Sequence, residues 1–126
     1  APDWERSALI ETLETIAEAG IDGLVSTNTT ISRSAVAGLP HAEEEGGLSG
    51  APLLEPSNRV TTVARDVLGE GFPIIGSGGI MTAEDAAAKI RAGADLVQLY
   101  TGFIYSGPAL VRACARAVDQ VHADAD

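Results

Sequence analysis

The side chains and spacings with chemical potential in this sequence are mostly glycines, and they occur in clusters. Gly76-Ser77-Gly78-Gly79-Ile80 follows a short apolar run and leads into a helix-capping pattern. Glycine lets a backbone approach a ligand closely, and successive N–H groups can converge on an anion. A plain turn between a strand and a helix is the alternative. A dinucleotide-binding loop fits less well, because the glycine spacing is wrong and no ribose-binding acid is placed after a following strand. Tyr100-Thr101-Gly102-Phe103-Ile104 follows the next apolar run and is expected to open a short helical turn before Gly107-Pro108. Backbone amides in two such loops can hold a phosphate dianion without a lysine.

A third polar segment lies earlier. Thr27-Asn28-Thr29-Thr30 ends another apolar run. An Asn amide both donates and accepts, so it can pair with a planar ring bearing amide or carboxylate groups. Asn and Thr are also common turn residues, which leaves a β-turn cap open as a second reading. Further along the same loop, Gly46-Gly47-Leu48-Ser49-Gly50 can bring backbone close to a ring or ribityl chain, or can simply be flexible.

The elements that must position these loops can be read from periodicity. A first helix is expected to start with Asp3 as N-cap, to carry Leu9, Ile10, Leu13, Ile16 and Ala17, and to end at Gly20. Residues 23–27 read as a buried strand, and 28–51 as a long polar loop, a length that is often functional. A helix over 56–68 with Val60, Val63, Ala64, Val67 and Leu68 on one stripe closes at Gly69. Residues 72–76 form a strand. Thr82 caps a third helix, with Asp85 as its capping-box partner, and that helix ends at Gly93. Residues 95–99 form a third strand. The last helix opens at Gly107-Pro108 and carries Leu110, Val111, Cys114, Val118 and Val121, with 123–126 as a frayed tail.

The order αβαβαβα predicts an α/β fold with parallel strands and crossover helices. Ala19-Gly20-Ile21-Asp22 and Ala92-Gly93-Ala94-Asp95 echo one another at helix-to-strand corners, as repeated barrel units do. Phosphate sites of TIM barrels are frequently built from the loops after the last two strands and the start of a short extra helix, the arrangement seen here. The expected fold is therefore the C-terminal portion of a TIM (β/α)8 barrel, with about its last three strands and four helices. Such barrels need roughly 250 residues, and this chain has 126. Three strands cannot close a barrel, so the remaining N-terminal strands are an expected partner.

Composition narrows the function classes. Hydrophobic residues make up 45%, charged residues 21% and aromatics only 4%, a globular balance with an aliphatic core. The formal net charge of −10, with scattered Lys and Arg, speaks against nucleic-acid binding. A single cysteine, Cys114, allows no internal disulfide and suits a reducing compartment. No run approaches a membrane span, no signal peptide precedes the first helix, and an Ala1-Pro2 start suggests a processed or truncated product. His41 beside Glu43, Glu44 and Glu45 has unconvincing spacing for a metal site. Cys114 is read as core packing, Trp4 as packing a helix end, and Arg33 as a surface residue or an aid to an anionic substrate.

Taken together, Thr27-Asn28-Thr29-Thr30, Gly46-Gly47-Leu48-Ser49-Gly50, Pro73-Ile74-Ile75-Gly76-Ser77-Gly78-Gly79-Ile80 and Leu96-Val97-Gln98-Leu99-Tyr100-Thr101-Gly102-Phe103 resemble the C-terminal third of the dihydroorotate dehydrogenases. The Asn-Thr-Thr loop with its later Gly-Leu-Ser-Gly is similar to the quinone-dependent class. The resemblance implies FMN as cofactor, with Thr27, Gly50, Gly79, Tyr100 and Thr101 at flavin-contacting positions. It implies that Asn28 and Thr29 bind the dihydroorotate or orotate ring. The implied reaction is oxidation of dihydroorotate to orotate in pyrimidine biosynthesis: a base removes the C5 proton, a hydride leaves C6 for the flavin, and a quinone takes the electrons. The class also implies peripheral attachment at the cytoplasmic face of the cell membrane. The family's serine base, its other substrate asparagines, its flavin-contacting lysine and its quinone-tunnel helices match no segment of this chain. Ser77 stands where the family often has an aliphatic residue. This chain alone is therefore expected to be inactive. A flavin-dependent oxidase, a sugar-phosphate barrel and a non-catalytic barrel fragment are the alternatives.

Overall fold

A computed structural model describes residues 1–125 of the chain. Its elements are α1 (Arg6–Glu18), β1 (Leu24–Ser26), α2 (Leu54–Leu68), β2 (Ile74–Ser77), α3 (Ala83–Arg91), β3 (Leu96–Gln98), α4 (Thr101–Ser106) and α5 (Pro108–Ala125). The expected alternation is present, and α4 is the short helical turn expected after the third strand. The three strands form one parallel sheet in the order β1-β2-β3. Leu24 pairs with Ile74, and Ile75 pairs with Leu96.

Side chains of a strand alternate between faces. Ser26, Ile74 and Gly76 are buried on the face that the helices cover. Val25 and Leu96 point the other way and remain 51% and 58% exposed. The core lies between the sheet and its helices, with Leu13, Val63, Ile74, Ile90, Leu110 and Val118 among its members. Cys114 is buried in that core, as its position on the apolar stripe of α5 predicts.

The ends of the sheet are held differently. At the start of the strands, the Arg65 guanidinium donates to the carbonyls of Gly69, Phe72 and Gly93 and to the Asp95 carboxylate. Asp95 in turn accepts from the Ile74 amide at 2.7 Å. Asp22, the echo of Asp95, makes no such bond among the described residues, because β1 has no strand on its outer side. At the other end of the strands the backbone runs out into the glycine loops.

Several boundaries differ from the sequence reading. The first helix starts at Arg6, with Glu5 as an N-cap that makes no side-chain bond. Asp3 does not cap it. Its carboxylate instead accepts from Thr30 Oγ1 and from the Ile31 amide, so it fastens the long loop. The second helix starts at Leu54, after a 3-10 turn over Ala51–Leu53 that carries the chain in from Gly50. Thr82 and Asp85 form the expected capping box. The expected frayed tail is helical through Ala125, where Gln120 and Asp124 bond one turn apart, and Asp126 lies outside the described residues. Trp4 stays 48% exposed rather than sealing a helix end.

The long loop has structure of its own. Thr30 and Leu48 pair in an antiparallel bridge, each donating to the other's carbonyl. Arg33 fills the middle, donating to the carbonyls of Thr30, Ile31, Glu44 and Gly46. It is a loop clamp, which accounts for its guanidinium without a ligand. His41 pairs locally with Glu44 at 2.6 Å. No group of three or more potential metal ligands occurs among the described residues, and no helix there is long and apolar enough to cross a membrane.

Candidate functional site

The glycine loops and the polar loop meet at the C-terminal ends of the strands, around an open cleft of about 540 Å³. Thr27, Asn28 and Thr29 come from the end of β1, Gly50 from the long loop, Gly79 from the loop after β2, and Tyr100 and Thr101 from the end of β3. All seven line this one cleft. They are separated by as many as 74 positions in sequence, and only the parallel sheet brings them together.

Each loop is locked to a neighbour by close packing. A Cβ on Gly79 would fall 2.2 Å from the Leu54 amide nitrogen, at the start of α2. One on Gly102 would fall 2.1 Å from the Ile80 carbonyl, and one on Gly47 would strike the Thr29 side chain. Thr101 Oγ1 donates to Ser49 Oγ at 3.0 Å, tying the last loop to the Gly46–Gly50 cluster. Gly79 has φ +81, a conformation that side chains disfavour, so both sterics and backbone select glycine there.

Asn28 shows how the two sequence readings combine. Its Oδ1 accepts from the Thr29 amide at 2.7 Å, the turn-capping role. Asn28 lines the cleft, and its side-chain NH2 makes no bond to another described residue, which leaves that donor free. Thr27 Oγ1 is engaged with the Asn28 carbonyl at 2.9 Å. Tyr100 is 78% exposed and faces the open side.

The electrostatics are unusual for so acidic a chain. Among the described residues, no Asp, Glu, Lys, Arg or His side chain lines the cleft. The amides of Gly78 and Gly79 donate to no other described residue. An anion placed there would meet unpaired N–H groups and no carboxylate, the chemistry of a backbone phosphate cradle. The glycines therefore fit a phosphate-bearing group in a polar, partly apolar slot, as a flavin nucleotide requires. The lining carries no carboxylate, imidazole or amine, and its proton-bearing side chains are hydroxyls, the Tyr100 phenol and the Asn28 and Gln98 amides.

Sequence reasoning missed Lys89. This side chain has 0% exposure and is the largest fully buried one. It lies on α3 within an apolar run of Ala86, Ala87 and Ile90, and that misplaced charge was the one signal available. Burial pushes its pKa down to about 8, against the pull of Asp85 and Glu55. Its Nζ donates to Ser57 Oγ at 2.8 Å, and Ser57 Oγ donates to the Ser77 carbonyl at 2.6 Å. Gly76 belongs to this arrangement rather than to the ligand side, since a Cβ there would fall 2.2 Å from Lys89 Cγ. Gln98, paired in register with Ser77, also lines the cleft.

Residues 1–121 match the family described as dihydroorotate dehydrogenase. A dihydroorotate dehydrogenase (quinone) of Verminephrobacter eiseniae is 60% identical over 118 residues, covering 94% of this chain and 33% of that protein. One from Delftia acidovorans is 56% identical over 121 residues, covering 96% of this chain and 35% of that protein. A crystal structure of DHODH from Eimeria tenella in complex with ferulenol superposes with a TM-score of 0.88 at 37% identity, covering 99% of this chain and 33% of that one. The chain spans about a third of the length of the curated relatives it matches.

Proposed function

This chain belongs to the dihydroorotate dehydrogenase family, and from that premise we propose that it forms the flavin- and substrate-binding end of a quinone-dependent enzyme that oxidises dihydroorotate to orotate in pyrimidine biosynthesis. The observation that carries this reading is the convergence of seven residues from three separate loops on one uncharged cleft.

In this reading the cofactor is FMN, which supplies the two-electron acceptor. Gly79, Tyr100 and Thr101 hold its phosphate end through backbone amides, with Gly50 and Thr27 along the rest of the molecule. Asn28 and Thr29 take the pyrimidine: the free Asn28 NH2 donates to a ring carbonyl or the carboxylate, while its Oδ1 keeps the turn rigid. The base that removes the C5 proton comes from elsewhere in the barrel, since the segment that carries the family's serine base has no match in this chain. The remaining strands of the barrel, covering the exposed Val25 and Leu96, complete the site and lead to the quinone. Attachment at the cytoplasmic face of the membrane goes with the quinone and lies with segments other than this one.

The test is spectroscopic. The intact protein is expected to carry flavin absorbance that dihydroorotate bleaches and a quinone restores. A colourless protein, or a flavin indifferent to dihydroorotate, would sink the assignment. Asn28→Ala is expected to raise KM for dihydroorotate at least about tenfold while the flavin stays bound, the cost of leaving a substrate polar group unpaired.

A further inference from the structure

We propose that Lys89 is a positioning residue for the phosphate cradle, acting through Ser57 on the Ser77–Gly78 peptide from the far side of the sheet. The inference rests on the flavin-phosphate reading of the cleft and goes beyond it.

Three observations carry it. First, the ammonium is committed to a place where its only bond is to Ser57 Oγ, and it forms no ion pair among the described residues. A buried cation in that state is costly unless a charge elsewhere compensates it. Second, the bridge ends on a cleft-lining residue. The Ser77 carbonyl accepts from Ser57 Oγ and also from the Thr27 amide at 2.9 Å. A planar trans peptide points its N–H opposite to its C=O, so fixing this carbonyl fixes the Gly78 N–H as a donor directed away from the bridge. Third, the surroundings are shaped around the bridge. Gly76 leaves room for the lysine stem, and a Cβ on Gly78 would come 3.3 Å from Ser57 Oγ.

The two roles reinforce each other. The bridge holds the Gly78 and Gly79 amides in the orientation an anion needs. Asp85 and Glu55 act on the cation without pairing with it, and a bound phosphate dianion, two hydrogen bonds away across the cleft wall, adds to that compensating charge. Preorganised donors in a buried setting act more strongly than the same groups in water. The positive charge is thus kept out of contact with the ligand, and the acidic chain still offers a favourable field to an anion.

The experiment compares FMN with riboflavin, which lacks the phosphate, on the intact apoprotein by flavin fluorescence quenching. Lys89→Met is expected to weaken FMN about tenfold or more and to leave riboflavin unchanged. Ser57→Ala, a smaller change that breaks the bridge while keeping the cation, is expected to lower the FMN-to-riboflavin preference in the same direction and to keep the fold if Lys89→Met does not. Equal weakening of both flavins, or no change with Ser57→Ala, would mean that Lys89 only packs the core and would overturn the proposal. A wild-type protein with no preference for FMN over riboflavin would overturn the phosphate reading itself, and the role of Lys89 with it.

Discussion

At the scale of single residues, the glycines of the cradle are selected mainly by protein neighbours. Gly76 faces Lys89, Gly78 faces Leu53 and Ser57, and Gly79 faces the backbone of Leu54. Their missing side chains let this stretch press against α2 and α3, and the amides of Gly78 and Gly79 remain unpaired among the described residues. Gly79→Ala should therefore cost about 1–3 kcal/mol of stability through overpacking and strain, and flavin retention along with it. Urea unfolding and absorbance of the purified protein read both. An unchanged midpoint with bound flavin would mean that Leu54 yields easily. Lys89 makes a second prediction. Its folded pKa is about 8 and its ordinary value 10.5. Between those values the unfolded chain binds the extra proton, so stability should rise as pH increases from about 8 toward 10.5. The charged groups acting on it are Asp85 on its own helix and Glu55 on α2. Lys89→Met should flatten that part of the pH profile, and an unaltered rise would assign it to other groups.

At the scale of elements, the segment between β1 and α2 behaves as a built part rather than a tether. Asp3 holds its start, the Thr30–Leu48 bridge closes it, and Arg33 satisfies four of its carbonyls. Burial works to raise the Asp3 carboxyl, but the bonds from Thr30 and Ile31, with the nearby Ser32 amide and the N-terminal ammonium, outweigh it and hold the pKa below the usual carboxylate value. Arg33→Ala should speed hydrogen exchange across residues 30–48, consistent with a loss of about 1–2 kcal/mol locally. Since Asn28 and Thr29 enter from this loop, KM for dihydroorotate should rise while flavin stays bound. Exchange rates matching the wild type would show that the bridge suffices without the clamp. The sequence showed this loop's length and polarity but not its clamp, because Arg33 bonds only to backbone carbonyls, which leave no residue pattern.

At the scale of the whole molecule, the sheet is finished on one face and open on the other. Helices cover Ile74 and Ser26, whereas Val25 and Leu96 lie bare and both outer strands lack partners among the described residues. Parallel sheets are ordinarily covered on both faces. The 126-residue chain on its own should therefore self-associate and should not oxidise dihydroorotate. Sedimentation velocity and a flavin-reduction assay check the two parts separately. A stable monomer would favour a free-standing module, and measurable oxidation would mean that a base lies within these residues after all.

Much of this was legible in the sequence, and the reasons are local. Element order followed from hydrophobic period, and the Thr82 cap from a side chain three residues from its partner. The glycine loops that line the cleft were visible because close backbone packing with unpaired amides favours glycine. Family resemblance brought the seven cleft residues together before any coordinates did. Tertiary structure alone decided what each group faces: that Asp3 serves a loop instead of a helix, that Asn28 divides its amide between turn and cleft, and that Gly76 makes room for a lysine. It alone placed Lys89 behind the cradle. Those outcomes depend on contacts between residues far apart in the chain, and burial sets a charge that reads as surface against the back of the glycine loop.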